Sequence, residues 1–172
     1  MIEKLKVGEL EMGILALPVD LEGLEVRELY AEPFNLLVPE RHPLAKRERV
    51  QMGELEGQSL LLLEEGHCLR DQALAVCSRV GLGERQDFRA TSLETLRQMV
   101  ATGAGITLLP QLATEGAYGN ARGVRVLPFA KPVPHRRIGA VWRKTSARQP
   151  AIAALCDVIT ERMTRSGRAA VA

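Results

Sequence analysis

Short apolar runs alternate with amphipathic stretches along this 172-residue chain, and this alternation restricts the fold more than any other feature. Met12–Leu17, Ser59–Leu63 and residues 105–110 have the length and composition of buried strands. Residues 93–100 and 151–163 carry apolar side chains at helical spacing. Strands that alternate with helices predict an α/β fold whose sheets are mostly parallel, with Met12–Leu17 as one of the parallel strands.

The remaining segments are assigned by the same patterns. Pro33, after Glu32, is expected to bend the chain between two strands, and His42 before Pro43 is expected to be extended. Further strands are expected at 24–30, 34–39, 86–90, 124–129 and 137–143. We expect a helix that ends at Gly8, a helical turn at 50–55, and a short helix plus loop at 111–123. A loop is expected at 40–45 and a proline-containing linker at 131–135.

Thr91-Ser92-Leu93-Glu94 matches a capping box that opens the helix at 93–100. The amide groups at this helix start could receive a small polar or anionic ligand, which makes Thr91 and Ser92 candidate ligand-cleft residues. The alternative is that Thr91 or Ser92 simply caps the helix, and the sequence does not decide between these two interpretations.

Composition excludes several classes of protein. The chain is 46% hydrophobic and 26% charged, and its net charge of +2 gives no argument for direct nucleic-acid binding. It has no apolar run near the roughly 20 residues of a membrane span, and no signal-peptide core. Its three cysteines lack zinc-ligand spacing, so we expect no metal and no cofactor. Cysteines without a secretion signal favour a reducing, cytoplasmic location.

The segment from Glu64 to Cys77 is expected to be a loop that enters a helix. Gly66 follows an apolar run, the apolar residues then recur at 69, 73, 76, 77 and 80, and Gly81 supplies a stop. This spacing places Cys68 at the helix N-terminus and Cys77 on the inward face. Cys156, in the C-terminal helix, is expected to fill the core.

The two positions give Cys68 and Cys77 different chemistry. Amide groups at a helix N-terminus favour an anion, so Cys68 is expected to form a thiolate, whereas apolar surroundings keep Cys77 protonated. If the segment is helical, the two residues are separated by a rise of about 13 Å, and a disulfide requires Cα atoms within about 7 Å. A bond between them would therefore require the helix to unwind. The alternative is that both cysteines are inert core residues.

The string Gly66-His67-Cys68-Leu69-Arg70-Asp71-Gln72-Ala73, followed by Cys77, resembles the hydrogen-peroxide-sensing members of the LysR-type transcriptional regulators, as do residues 88–97 and 105–110. The resemblance implies two α/β lobes like those of a periplasmic binding protein. Residues 1–31 and 136–172 would form lobe I, and residues 32–135 would form lobe II with the redox cysteines. We expect this chain to contain no counterpart of the family's N-terminal helix-turn-helix, and none of the opening strand and helix of lobe I.

The resemblance also implies roles for individual residues. Cys68 would be oxidised by hydrogen peroxide and Cys77 would close a disulfide with it. His67, Asp71 and Arg136 would support the peroxide site, although Arg137 is an alternative to Arg136. The implied partners are hydrogen peroxide, a second copy in a homodimer or homotetramer, DNA through the helix-turn-helix, and a thiol reductant such as glutaredoxin or thioredoxin.

Two other functions are compatible with the sequence. One is a LysR-type domain that binds a small organic effector, with incidental cysteines. The other is a thiol peroxidase that uses Cys68 and Cys77, which is disfavoured because the chain has no CxxC motif. We therefore expect a regulator rather than an enzyme.

Overall fold

The computed structural model describes residues 1–19, 22–65, 68–77, 83–115 and 122–165. Helices and strands alternate along these residues, as the sequence predicts. The elements are α1 (Ile2–Lys6), β1 (Met12–Leu17), β2 (Leu24–Pro39), β3 (Ser59–Leu63), α2 (Cys68–Cys77), β4 (Gly83–Ala90), α3 (Leu93–Ala101), β5 (Thr107–Pro110), β6 (Val124–Pro128), β7 (His135–Arg143) and α4 (Gln149–Arg165), with 3-10 turns at Pro43–Lys46, Met52–Leu55 and Gln111–Thr114.

The chain divides into two compact units. The first unit combines Met1–Glu32 with Arg136–Ala172, and the second is Pro33–His135. The chain passes from the first unit to the second within β2 and returns at the start of β7.

In the first unit, β7 lies between β1 and β2. β1 pairs with β7 in antiparallel register, from Met12 opposite Trp142 to Leu17 opposite Arg137. The expectation that Met12–Leu17 is a buried parallel strand is therefore wrong in direction, and also in burial, because Gly13 alone of these residues is buried and the Ile14 side chain is 46% exposed. A short apolar run indicates burial but carries no information on the direction of its partner, and this partner comes more than a hundred residues later.

One face of this sheet is covered by α4. Ile152 and Cys156 of α4 are buried in a cluster with Ile138 and Ala140 of β7. The C-terminal helix is thus confirmed, but two residues of its expected apolar face, Leu155 and Val158, are 46% and 61% exposed. Helix α1 ends before Gly8, whose φ of 85° is the left-handed conformation that suits glycine.

β2 is one uninterrupted strand, so the expected break at Glu32 and Pro33 is wrong. Proline has no N–H to give to a ladder, but the next amide, of Phe34, donates to the carbonyl of Pro134 at 2.8 Å. Because pairing resumes one residue after Pro33, the strand tolerates the missing donor.

The second unit contains both directions of pairing. The second half of β2 lies between β5 and β6 and is antiparallel to both. β3 and β4 are parallel, and the amide of Leu61 in β3 donates to the carbonyl of Ile106 at 2.8 Å. The sheets are therefore mixed, and the expected predominance of parallel pairing is not found in these strands.

Both faces of the second unit's sheet are buried, which explains why its strands read as continuous apolar runs. Successive residues of β2 and β3 point to opposite faces. In the second unit, the even-numbered buried residues of these two strands enter the first core cluster, and the odd-numbered ones enter the second. The buried residues of the first core cluster are Phe34, Leu36, Val38, Val50, Leu55, Leu60, Leu62, Ala73, Ile106, Leu108, Leu127 and Phe129. Those of the second core cluster are Leu37, Leu61, Leu63, Ala90, Leu96, Val100, Leu109 and Val124.

The segment expected to be a loop at 40–45 contains a 3-10 turn, Pro43–Lys46. His42 precedes it in the expected extended conformation, with φ −67° and ψ 143°, and its Nδ1 accepts a hydrogen bond from the amide of Leu44. The turn forms because Pro43 fixes its own φ near the helical value at the first position. In the described part of the chain, no helix has both the length and the apolar character needed to cross a bilayer.

Candidate redox site

Helix α2 carries the predicted redox segment. Cys68 is its first residue and its side chain is exposed. Ala73 is buried in the first core cluster, and Leu69, Leu74 and Val76 pack against that cluster. The predicted helix, its start at Cys68 and its inward face are confirmed for these residues. Gly66, His67, Val80, Gly81 and the side chain of Cys77 lie outside the described residues.

The two cysteines are the two end residues of α2. Nine helical steps give a rise of about 13 Å between their Cα positions. A disulfide needs Cα atoms within about 7 Å of each other. The helical conformation of this segment therefore keeps Cys68 and Cys77 too far apart to bond.

Ion pairs surround the N-terminal end of α2. Arg89 is the penultimate residue of β4, and its Nη1 lies 2.9 Å from Oε1 of Glu65. The amide of Glu64 donates a hydrogen bond to the carbonyl of Ala90, the last residue of β4. Within α2, Asp71 lies 3.8 Å from Arg70 and is mostly exposed, whereas the Arg70 side chain is mostly buried. Glu64 and Glu65 are thus tied to the end of β4, the first by a backbone hydrogen bond and the second by an ion pair.

Arg136 belongs to the first unit, where it forms an ion pair with Glu32. Its Nε and Nη2 lie 2.8 and 2.7 Å from Oε2 of Glu32, whose side chain is 1% exposed. Arg137, the alternative, lies 3.4 Å from Glu28 in a more exposed pair. Glu32 was not predicted as a partner of Arg136 from the sequence, although it is an acidic residue just before a proline in an apolar stretch.

Ser92 is the N-cap residue of α3. Its hydroxyl accepts a hydrogen bond from the amide of Thr95 at 3.1 Å. The expected capping box, with Thr91 as cap and Glu94 at the third helical position, is wrong because the helix starts one residue later. Glu94 instead accepts a hydrogen bond from Gln98 at 2.9 Å. The hydroxyl proposed for a ligand is therefore already engaged by the helix.

Cys156 is fully buried among apolar side chains, as predicted. Burial raises the pKa of its thiol, the nearby guanidinium of Arg27 lowers it, and Asp157 raises it, with burial the largest effect. Among the described residues, no group of three or more His, Cys, Asp or Glu side chains is placed to hold a metal ion.

The fold described above is that of a known protein family. Residues 1–164 match the family described as the LysR substrate binding domain, and the chain belongs to this family. It is 45% identical over 163 residues to the hydrogen peroxide-inducible genes activator of Pectobacterium carotovorum subsp. carotovorum, covering 95% of this chain and 54% of that protein. It is 47% identical over 163 residues to the DNA-binding transcriptional dual regulator OxyR of Escherichia coli (strain K12), covering 95% of this chain and 53% of that protein.

Solved structures give the same grouping. The crystal structure of the oxidised form of OxyR matches with a TM-score of 0.81 and 47% identity, over 95% of this chain and 76% of that one. The reduced form matches with a TM-score of 0.82 and 45% identity, over 94% and 75%. The predicted fold class, an α/β domain of the periplasmic-binding-protein type, is confirmed. The chain spans about half the length of the curated relatives it matches.

Proposed function

We propose that this chain is the redox-sensing regulatory part of a LysR-type transcriptional regulator that responds to hydrogen peroxide. The observation that carries the proposal is helix α2, which has an exposed thiol at its first residue and a second cysteine at its last. The names of the relatives, hydrogen peroxide-inducible genes activator and OxyR, support the choice of oxidant.

The proposed chemistry takes place in two steps. The thiolate of Cys68 attacks one oxygen of hydrogen peroxide, the O–O bond breaks, and the hydroxide that leaves takes up a proton to become water. Cys68 is now a sulfenic acid. The thiol of Cys77 attacks its sulfur, an S–S bond forms and a second water leaves. Two thiols and one peroxide thus give one disulfide and two waters.

The disulfide is incompatible with an intact α2, so oxidation replaces the helix with another conformation. We propose that this change controls transcription. We propose that the peroxide site is supported by His67, Asp71 and Arg136. We also propose that residues 1–31 with 136–172 form lobe I and that residues 32–135 form lobe II. Arg136 would support the peroxide site while its guanidinium group is paired with the Glu32 carboxylate.

The proposed assembly follows the class of relatives. The parent regulator would act in the cytoplasm as a homodimer or homotetramer and would hold DNA through an N-terminal helix-turn-helix. A thiol reductant such as glutaredoxin or thioredoxin would return the disulfide to two thiols by exchange.

The test is to treat the reduced 172-residue chain with one equivalent of hydrogen peroxide, block free thiols, digest and identify bridged peptides by mass spectrometry. The expected product is a Cys68–Cys77 bridge, with loss of helical circular dichroism. Cys68→Ser should give no bridge. Cys156→Ala removes the buried thiol outside the redox segment without burying a hydroxyl, and it should form the same bridge as wild type. A bridge to Cys156, or a bridge with the helical signal unchanged, would contradict the proposal.

A second candidate is a domain that binds a small organic effector, which the family description favours because it names a substrate binding domain. Thr91 and Ser92 would then lie in the ligand cleft. This function predicts a rise in melting temperature with the effector that Cys68→Ser does not change. A thiol peroxidase would instead show many peroxide turnovers with a thiol reductant, and the relatives named above are transcriptional regulators.

A further inference from the structure

We infer that the basic surface formed by residues 40–49 and 122–125 of the second unit binds the sugar-phosphate backbone of duplex DNA. The inference goes beyond the proposed function, in which DNA is held through a helix-turn-helix. It involves neither a cysteine nor peroxide, so it can be tested whether or not the redox chemistry is correct.

Backbone hydrogen bonds bring the two segments of the basic surface together, although they lie far apart in the sequence. The amide of Glu40 donates to the carbonyl of Gly123 at 3.0 Å, and the amide of Gly123 donates to Oε1 of Glu40 at 3.3 Å. Beyond the other end of the first segment, the amide of Val50 donates to the carbonyl of Pro128 at 3.1 Å. Residues 40–49 are therefore held beside β6 at both ends.

The basic surface carries a large excess of positive charge. Its acidic residues are Glu40 and Glu48. Its cationic residues, which are all exposed, are Arg41, Lys46, Arg47, Arg49, Arg122 and Arg125. Arg47 is paired with Glu54 at 3.1 Å, and the other five have no ion-pair partner in the described part of the chain. This excess is larger than the net charge of +2 of the whole chain, so the fold gathers charges that look scattered in the sequence.

The chemistry of the basic surface fits phosphate groups better than it fits a protein partner. Protein interfaces have an apolar centre that is depleted of charged residues. None of the large apolar side chains that are exposed in the described residues belongs to these two segments. All but one of the cationic side chains are arginine, whose planar guanidinium group matches phosphate oxygens in pairs. Duplex DNA presents such phosphates in regular rows, so it fits this surface without apolar contact.

Binding of this kind has a characteristic dependence on salt and sequence. Contacts to phosphate carry no sequence information, so duplexes of different sequence should bind equally. Each neutralised phosphate releases counterions, and the logarithm of the affinity falls with the logarithm of the salt concentration by about 0.9 per contact. With about four contacts, a fourfold rise in salt should weaken binding roughly a hundredfold.

The experiment measures binding of the 172-residue chain to a fluorescent duplex of about 20 base pairs by anisotropy, at roughly 20 to 80 mM salt. The test variant combines Arg41→Gln, Arg122→Gln and Arg125→Gln, and circular dichroism checks that it is folded. It should bind at least about tenfold more weakly than wild type at the lowest salt, and its salt slope should be smaller by about 3. Arg122→Gln alone should reduce the slope by about 1, which keeps the test valid if the triple variant is unstable.

The control variant removes the same amount of charge from the first unit. It combines Lys6→Gln, Lys144→Gln and Arg148→Gln, which replace three exposed cations outside the basic surface. It should keep the wild-type affinity and salt slope, because these positions do not contact the duplex.

Three outcomes would overturn the inference. The first is a wild-type chain that does not bind the duplex at the lowest salt, and the second is an equal loss of affinity in the test and control variants. The third is displacement of the labelled duplex by polyglutamate as effectively as by unlabelled duplex of the same charge, which would assign the surface to an acidic polypeptide instead.

Discussion

Glu32 and Arg136 form a largely buried ion pair across strands β2 and β7, in which Nε and Nη2 of the guanidinium group lie within 2.8 Å of Oε2 of the carboxylate. On the same two strands, Glu28 and Arg137 form a second pair at 3.4 Å whose side chains are much more exposed. The two strands therefore contain one buried and one exposed Glu–Arg ion pair. Comparing the two pairs measures how burial changes the contribution of such a pair to the free energy of unfolding.

Arg136→Ala should lower the free energy of unfolding by about 3 kcal/mol, because it removes a cation from a buried carboxylate. Arg137→Ala should lower it by less than about 1 kcal/mol, since exposed pairs contribute little. Urea denaturation followed by circular dichroism measures both values. Equal losses in the two variants would show that the burial of Glu32 does not matter.

Ser92→Ala should destabilise the chain by about 1 kcal/mol, because the amide of Thr95 loses its capping hydroxyl. Thr91→Ala should have little effect, since Thr91 is not the N-cap residue of α3. Thermal denaturation of both variants tests this order. A larger loss in Thr91→Ala would contradict the assignment of the cap.

Leu69→Ala should lower the stability of the fully reduced chain by about 2 kcal/mol, because a partly buried side chain leaves both core clusters. Leu112→Ala serves as control, because Leu112 is 41% exposed. Urea denaturation in the presence of excess reductant gives the two values. A Leu69 variant as stable as the control would mean that α2 is held by other contacts.

The buried thiol of Cys156 should make the stability depend on pH above neutrality. Its folded pKa is raised by burial above the ordinary value of 9.0, so between the two pKa values the folded chain binds more protons than the unfolded chain. The free energy of unfolding should therefore fall as the pH rises past about 9. Denaturation at several pH values should show a smaller fall in Cys156→Ala than in wild type. Identical slopes would exclude a contribution from this thiol.

The pattern of apolar residues predicted most of the elements that position the site. The face of α2 that contains Leu69 and Ala73 follows directly from helical spacing, and β3 follows from four consecutive leucines. These features are local, so a single stretch of sequence contains the information that determines them.

The features that the sequence did not predict depend on residues far apart in the chain. The antiparallel pairing of β1 requires β7, and the continuity of β2 through Pro33 requires the carbonyl of Pro134. The pair of Glu32 and Arg136 spans more than a hundred residues. The start of α3 at Leu93, by contrast, is a local choice between Thr91 and Ser92 that the motif leaves open.

The position of β2 between β5 and β6 affects where the chain can be shortened. A fragment that begins at Pro33 keeps the residues that give both neighbours their hydrogen-bonding partner. A fragment that begins after Pro39 removes that partner and leaves β5 and β6 each with a newly exposed edge, which is the kind of surface that recruits other chains into aggregates.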